Sequence, residues 1–92
     1  MKIYDKAQWH IDAGESKEKV LKKFEVIFSF LHEHNLLSED GIEVWEIGVD
    51  ESISLHERLL TQEGNMLLDL CYDKLIVLEV AQIREVLAAA FR

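Results

Sequence analysis

The sequence contains no proline, one cysteine and only four glycines among its 92 residues. The lone cysteine, Cys71, excludes an intramolecular disulfide, and its place inside an apolar run predicts a buried structural thiol. No window approaches the roughly eighteen uninterrupted apolar residues that a membrane-spanning helix needs. Residues 1–6 lack the apolar stretch of a signal peptide, so we expect a cytoplasmic protein with no membrane partner.

Basic residues are also scarce, since ten Lys and Arg stand against eighteen Asp and Glu, for a formal net charge of −8. This balance argues against a nucleic-acid partner, because phosphate binding needs a basic surface. It favours solubility and the electrostatic steering of a basic protein partner. Lysines and glutamates interleave over residues 15–25, which predicts a solvent-exposed helix face of mixed charge. The lysines of this face are Lys17, Lys19, Lys22 and Lys23.

A short phrase occurs twice, at an offset of 23 residues. It reads Leu-Leu-Ser-Glu-Asp-Gly at residues 36–41 and Leu-Leu-Thr-Gln-Glu-Gly at residues 59–64. A hydroxyl residue followed by acidic residues is typical of a helix N-terminus, so Ser38 and Thr61 are predicted N-caps. The similarity continues past the glycines, which favours duplication of a helix–turn unit.

Residues 17–34 carry apolar residues at steps of three and four, from Val20 to Leu31. This spacing predicts a long amphipathic helix that begins after Ser16 as N-cap and ends at Asn35 as a left-handed cap. The segment before it is short and aromatic. Trp9 and Ile11 alternate there with polar residues, which predicts a brief extended segment.

Two interpretations compete for residues 42–49. Trp45, Ile47 and Val49 alternate with Glu46, Gly48 and Asp50, which suits a strand, whereas the register of the repeated phrase predicts a short helix ending at Gly48. The β-branched content favours the strand, so we expect a small strand pair within residues 42–56.

The C-terminal half, residues 62–91, is predicted to be helical because it contains neither proline nor, after Gly64, glycine. An unbroken helix would be roughly 45 Å long, more than a domain of this size can cover. Either it breaks near residues 76–79, or its end projects and packs on a second copy in a homodimer. The apolar candidates for self-association are Val80, Ile83, Leu87 and Phe91. The predicted fold is therefore a single helix-dominated α+β domain over residues 1–92, with an all-α fold as the alternative.

No catalytic motif is present. The chain has no Gly-x-Ser-x-Gly sequence, and its glycines are too widely spaced for a phosphate-binding loop. We therefore expect neither enzymatic activity nor a cofactor. The rival hypothesis is a metal-binding domain or metal-dependent enzyme, in which His10 and Asp12 share one face of a strand and His56 is a distant third ligand.

Tryptophan is a frequent anchor at protein interfaces, and acidic residues surround Trp45. If Trp45 is exposed, these residues would suit a basic partner; they are Glu43, Glu46, Asp50 and Glu51.

The second phrase, at residues 59–64, leads into an apolar helix that closes with Tyr-Asp-Lys-Leu at residues 72–75. Over residues 36–75 this pattern resembles small acidic bacterial proteins, some of them similar to the immunity proteins encoded beside secreted toxins. The resemblance implies a non-catalytic protein that binds and inhibits a basic partner, and it assigns no catalytic residue. A structural homodimer subunit of a larger complex is the remaining alternative.

Overall fold

The computed structural model describes residues 3–92, and its helix-dominated α+β architecture confirms the predicted fold class. Within these residues, five α-helices and a two-stranded sheet pack around one apolar core. The elements are β1 (Ile3–Asp5), α1 (Lys6–Ala13), α2 (Lys17–Glu33), α3 (Glu39–Ile47), β2 (Ser54–His56), a 3-10 turn (Glu57–Leu59), α4 (Gln62–Val77) and α5 (Val80–Phe91).

Helix α2 forms the central support of the core and confirms the prediction for residues 17–34 to within one residue. The Ser16 hydroxyl accepts a hydrogen bond from the Lys19 amide, as an N-cap does. At the other end Asn35 adopts a left-handed conformation with φ of 58°. The chain then turns back, since the Leu36 amide bonds to the Leu31 carbonyl.

The strand expected within residues 42–49 is wrong, because this segment is helix α3. The Ser38 hydroxyl accepts the Gly41 amide, and Gly48 ends the helix with φ of 106°. Hydrogen bonding at the N-terminus and the acidic first turn outweigh the β-branched content. The alternation that suggested a buried strand face is accidental, since Ile47 is 78% exposed.

The only strand within residues 42–56 is β2, and its partner is β1 rather than a neighbouring hairpin strand. The two strands are antiparallel, with Ile3 opposite His56 and Asp5 opposite Ser54. The extended segment expected around Trp9 is likewise wrong. Residues 6–13 form α1, whose N-cap Asp5 accepts hydrogen bonds from two amides of the first turn.

The long C-terminal helix breaks at Leu78 and Glu79, within the interval where a break was expected. Leu78 is extended, and Glu79 forms a capping box with Gln82 that starts α5. Helix α5 therefore folds back against α2 and α4, and its apolar side chains complete the core of one chain. None of the helices in residues 3–92 is long and apolar enough to cross a lipid bilayer.

The core is built around aromatic rings. Trp9 is fully buried and contacts Phe24 and Tyr72, with ring centroids 5.2 Å away in each case. Lys23 is also fully buried, although the charge pattern predicted a solvated face. Its ammonium lies 2.5 Å from the Glu15 carboxylate and donates to the Ile76 carbonyl at 3.1 Å, which caps the end of α4.

Candidate functional site

One face of α3 is strongly acidic and continues into the loop that follows. We call this surface the acidic α3 face; all six of its carboxylates are exposed, namely Glu39, Asp40, Glu43, Glu46, Asp50 and Glu51. Its geometry follows from helix spacing. Glu39, Glu43 and Glu46 lie at positions i, i+4 and i+7 of α3, which places them along one outward stripe.

Lys6 interacts electrostatically with Asp50, but no ion pair within residues 3–92 neutralises a carboxylate of this face. The sequence has no lysine or arginine between Lys23 and Arg58. Within residues 3–92, the ion pairs join other residues: Lys19 with Glu79, Lys23 with Glu15, and Arg84 with Glu33. The acidic α3 face therefore presents a net negative potential to solvent.

Two exposed isoleucines lie within the same stripe. Ile42 is 38% exposed and Ile47 is 78% exposed, and both fall on the helix spacing that also contains Glu39 and Glu43. Apolar side chains flanked by like charges are an arrangement that a protein partner can cover. Sequence reasoning missed both residues, because assigning residues 42–49 to a strand hid the helical spacing that begins at Ser38.

Trp45 lies at the edge of this face rather than at its centre. It is half-buried, and its ring stacks on the His32 imidazole with a centroid distance of 5.5 Å and an interplanar angle of 26°. The contact fixes α3 against the last turn of α2. Trp45 is thus partly a packing residue, with part of its side chain open beside Glu46.

Asp50 belongs to the turn that follows α3. Its carboxylate accepts hydrogen bonds from the Ser52 hydroxyl at 2.6 Å and from the Ser52 amide at 2.7 Å. These bonds favour the ionised form and lower the pKa of Asp50 below its usual value. Asp50 therefore keeps its negative charge in mildly acidic solution.

The metal-site candidates are not assembled into a site. His10 and Asp12 lie on α1, where a spacing of two residues turns their side chains roughly 200° apart. Asp12 accepts a hydrogen bond from Gln8, and the His56 ring nitrogen accepts the Arg58 amide. No group of three or more His, Cys, Asp or Glu side chains in residues 3–92 could hold a metal ion.

The predicted self-association stripe is largely internal. Ile83 and Leu87 are fully buried within one chain and Val80 is half-buried, because the break at Leu78 folds α5 onto the core. Phe91 remains 40% exposed and borders an apolar groove of about 530 Å³. Two exposed side chains of α4 also line this groove, Met66 and Leu70.

Cys71 is buried as the sequence predicted. Its thiol contacts the Leu67 carbonyl at 3.1 Å, and burial raises its pKa to about 11. Because the thiolate is the reactive form, burial and the raised pKa both disfavour reaction of this thiol at neutral pH.

The chain was compared with protein-family models, with curated proteins and with solved structures, and none of the three comparisons found a match.

Proposed function

We propose that this protein acts by binding a basic protein partner through the acidic α3 face. The observation that carries the proposal is the outward stripe of α3, in which Ile42 and Ile47 lie among carboxylates that no lysine or arginine neutralises. The immunity-type form of the proposal is the most specific: the face would cover the basic active site of a toxin. Two features of the sequence support that form, namely the resemblance of residues 36–75 to immunity-type proteins and the net charge of −8.

The two kinds of side chain would contribute differently to binding. Carboxylates at the rim accelerate encounter with a cationic surface and set the orientation of docking. The isoleucines supply apolar burial, which is worth about 1.5–3 kcal/mol for each side chain that becomes fully covered. A nine-residue helix spans only about 13 Å, so residues 48–51 and the edge of Trp45 must extend the contact to a stable size.

The test is capture of a partner with matched charge variants. Glu43→Lys/Glu46→Lys reverses two charges on the acidic α3 face, whereas Glu25→Lys/Glu85→Lys reverses two exposed charges elsewhere. Both double variants have the same net charge. Tagged wild-type protein and both variants would be used to capture proteins from the native cell extract, and the affinity of each purified captured protein would then be measured by calorimetry.

The proposal expects a basic protein that binds the wild type and the Glu25/Glu85 variant but binds the Glu43/Glu46 variant at least tenfold more weakly. For the immunity form, co-expression must also relieve growth inhibition by that partner. Equal loss of affinity in both variants, or no partner that depends on α3, contradicts the proposal.

A second candidate is self-association, and the groove beside Phe91 favours it. Exposed Met66 and Leu70 line this groove together with Phe91, so a second copy could bury them. Sedimentation velocity of the wild type and of Leu70→Glu tests this candidate. A wild-type dimer that Leu70→Glu dissociates supports it, and a monomeric wild type at high concentration excludes it.

A further inference from the structure

A second cavity, of about 400 Å³, lies between α1, the start of α2 and residues 51–54. We call it the Lys6 cavity. The residues that bear on its chemistry are Asp5, Lys6, His10, Lys17, Glu51 and Ser52. Its volume falls in the range of small-molecule sites, which is about 300–1,000 Å³. Its lining combines these polar side chains with apolar ones, among them Ile11 and Ile53.

Lys6 is only 7% exposed, and its ammonium has no hydrogen-bond partner in residues 3–92. A second buried lysine of residues 3–92 shows what such a group requires, since Lys23 has both the Glu15 carboxylate and the Ile76 carbonyl. A buried ammonium that lacks an ion-pair partner is destabilising, so this position calls for an anion.

His10 follows one turn later on the same face of α1. Side chains at positions i and i+4 of a helix are neighbours, with Cβ atoms about 5–6 Å apart. The Nδ1 atom of His10 is also buried and has no hydrogen-bond partner in the described residues. Both residues with an unsatisfied nitrogen atom thus line one cavity, and the exposed Lys17 adds a second lysine to the lining.

Carboxylates lie near Lys6, and Asp50 interacts with it electrostatically, but none of the ion pairs in residues 3–92 includes Lys6. Asp5 is the N-cap of α1 and already accepts the Ala7 amide at 2.7 Å. Glu51 is exposed at the surface. No carboxylate of residues 3–92 lies within the 4.0 Å of Lys6 Nζ that defines an ion pair.

We infer that the Lys6 cavity binds a small oxyanion, the carboxylate or phosphate group of a metabolite-sized molecule. The Lys6 ammonium donates to the anion, the His10 ring offers Nδ1–H as a second donor, and Lys17 attracts the anion electrostatically. Both donor atoms lie below the protein surface, so entry of the anion shifts the neighbouring residues 51–54. This site adjoins the acidic α3 face at Glu51 but uses different groups, since its donors lie on α1 and none of them lies on the outward stripe of α3.

The test is a titration of the wild-type protein, followed by NMR, with inorganic phosphate, with acetate, and with chloride at equal ionic strength. The inference expects saturable shifts of the His10 ring and of the amides of residues 51–54 with phosphate or acetate, and none with chloride. The stronger of the two responses identifies the class of oxyanion. Shifts that rise linearly, or that chloride reproduces, overturn the inference.

Lys6→Met removes the charge but keeps the length of the side chain, and Lys22→Met does the same at an exposed position of α2. Lys6→Met should weaken binding at least tenfold while raising the melting temperature without ligand, because it removes a buried charge that has no ion-pair partner. Lys22→Met should change neither. If Lys6→Met fails to fold, His10→Phe takes its place, because it also removes one donor and should likewise weaken binding of the anion. Unchanged affinity in a folded Lys6→Met or His10→Phe variant overturns the inference.

Discussion

The backbone amide of Ser38 donates a 3.0 Å hydrogen bond to the carbonyl of Leu59. The amide of Thr61 donates a 2.9 Å bond to the carbonyl of Leu36. Thr61 and Leu36 are the equivalents of Ser38 and Leu59 in the opposite copies of the phrase, so the second bond is the first with donor and acceptor copies exchanged. An isolated antiparallel bridge joins the two copies between these bonds. The doubled phrase is therefore a pair of helix starts that hold each other through their backbones with approximate two-fold symmetry.

The glycines of the two phrases occupy the closest contacts of this pair. A Cβ atom on Gly41 would lie 2.0 Å from the Leu59 carbonyl oxygen, and one on Gly64 would lie 2.6 Å from that of Leu36. Alanine would gain about 1 kcal/mol of helix propensity at either site. The clash outweighs this gain, because both carbonyls are fixed by their hydrogen bonds. We expect Gly41→Ala to lower the free energy of unfolding by about 2–3 kcal/mol and Gly64→Ala by less.

Urea unfolding followed by circular dichroism measures these differences. Gly14→Ala is the control, because Gly14 has φ of 63° but no heavy atom within 4 Å of an added Cβ. It should cost only about 1–2 kcal/mol of backbone strain. If Gly41→Ala is no more destabilising than Gly14→Ala, the starts of α3 and α4 do not pack as described.

The sequence predicted the helices well where an N-cap residue was followed by apolar residues at helical spacing. Ser16 and the apolar spacing defined α2, and Ser38 and Thr61 were correctly predicted as N-caps. The strand prediction at residues 42–49 failed because the alternation around Ile47 imitates a strand, although the repeated phrase indicated a helix. The partner of β2 could not be predicted, since pairing with Tyr4 joins residues far apart in the sequence and leaves no local pattern.

The candidate sites could likewise be predicted only where a local pattern in the sequence revealed them. The acidic α3 face could be predicted from composition, whereas the burial of Lys6 and Lys23 could not, because a lysine in a charged segment is usually solvated. Both become buried only when distant elements pack on them. For Lys23 this element is the end of α4, which supplies the Ile76 carbonyl.

The pair formed by Lys23 and Glu15 should be sensitive to removal of one partner. The side-chain exposure is 0% for Lys23 and 16% for Glu15. Glu15→Gln leaves the ammonium buried without its counterion, so we expect a loss of about 3–5 kcal/mol of stability. Lys23→Met combined with Glu15→Gln should recover part of this loss, because no uncompensated charge remains.

Glu33→Gln is the matched control, since its ion pair with Arg84 at 2.7 Å has exposed side chains. An exposed pair is worth about 1 kcal/mol or less. Urea unfolding of the three variants measures the contrast. Equal effects of Glu15→Gln and Glu33→Gln would show that Lys23 is solvated.

Alkaline pH should destabilise the fold through its two tyrosines. Burial raises the pKa of Tyr72 to about 12. It also raises the pKa of Tyr4, whose hydroxyl donates a hydrogen bond to Asp69. In an unfolded chain the pKa of tyrosine is about 10. The stability that the two neutral tyrosines contribute is therefore complete below about pH 10, and it is lost as the pH rises through their pKa values in the folded protein.

Absorbance at the phenolate band, titrated from about pH 8 to 12, measures these ionisations. The folded protein should show little phenolate at about pH 10.5, whereas the urea-unfolded chain should be largely ionised. Tyr72→Phe should reduce the alkaline loss of stability. Coincident titration curves for folded and unfolded protein would contradict the burial of both rings.

Cys71 should react only when the fold opens. Its thiol is buried with a pKa raised to about 11, so thiolate is rare and inaccessible at neutral pH. We expect reaction with a disulfide reagent to be at least about a hundredfold slower than in denaturant. Ala89→Cys in a Cys71→Ser background places a thiol at an exposed position of α5 and should react at once. Rapid reaction of native Cys71 would show that α4 is not closed over it.

Salt dependence separates partner binding from self-association. Binding of a basic partner to the acidic α3 face brings opposite charges together, so raising the salt from about 0.05 to 0.3 M should weaken it severalfold. Self-association at the groove brings together two chains of net charge −8, so salt should strengthen it by screening their repulsion. Calorimetry with the partner and sedimentation velocity of the protein alone measure the two trends. If the affinity for the partner is independent of salt while Leu70→Glu abolishes it, the groove, and not α3, is the binding surface.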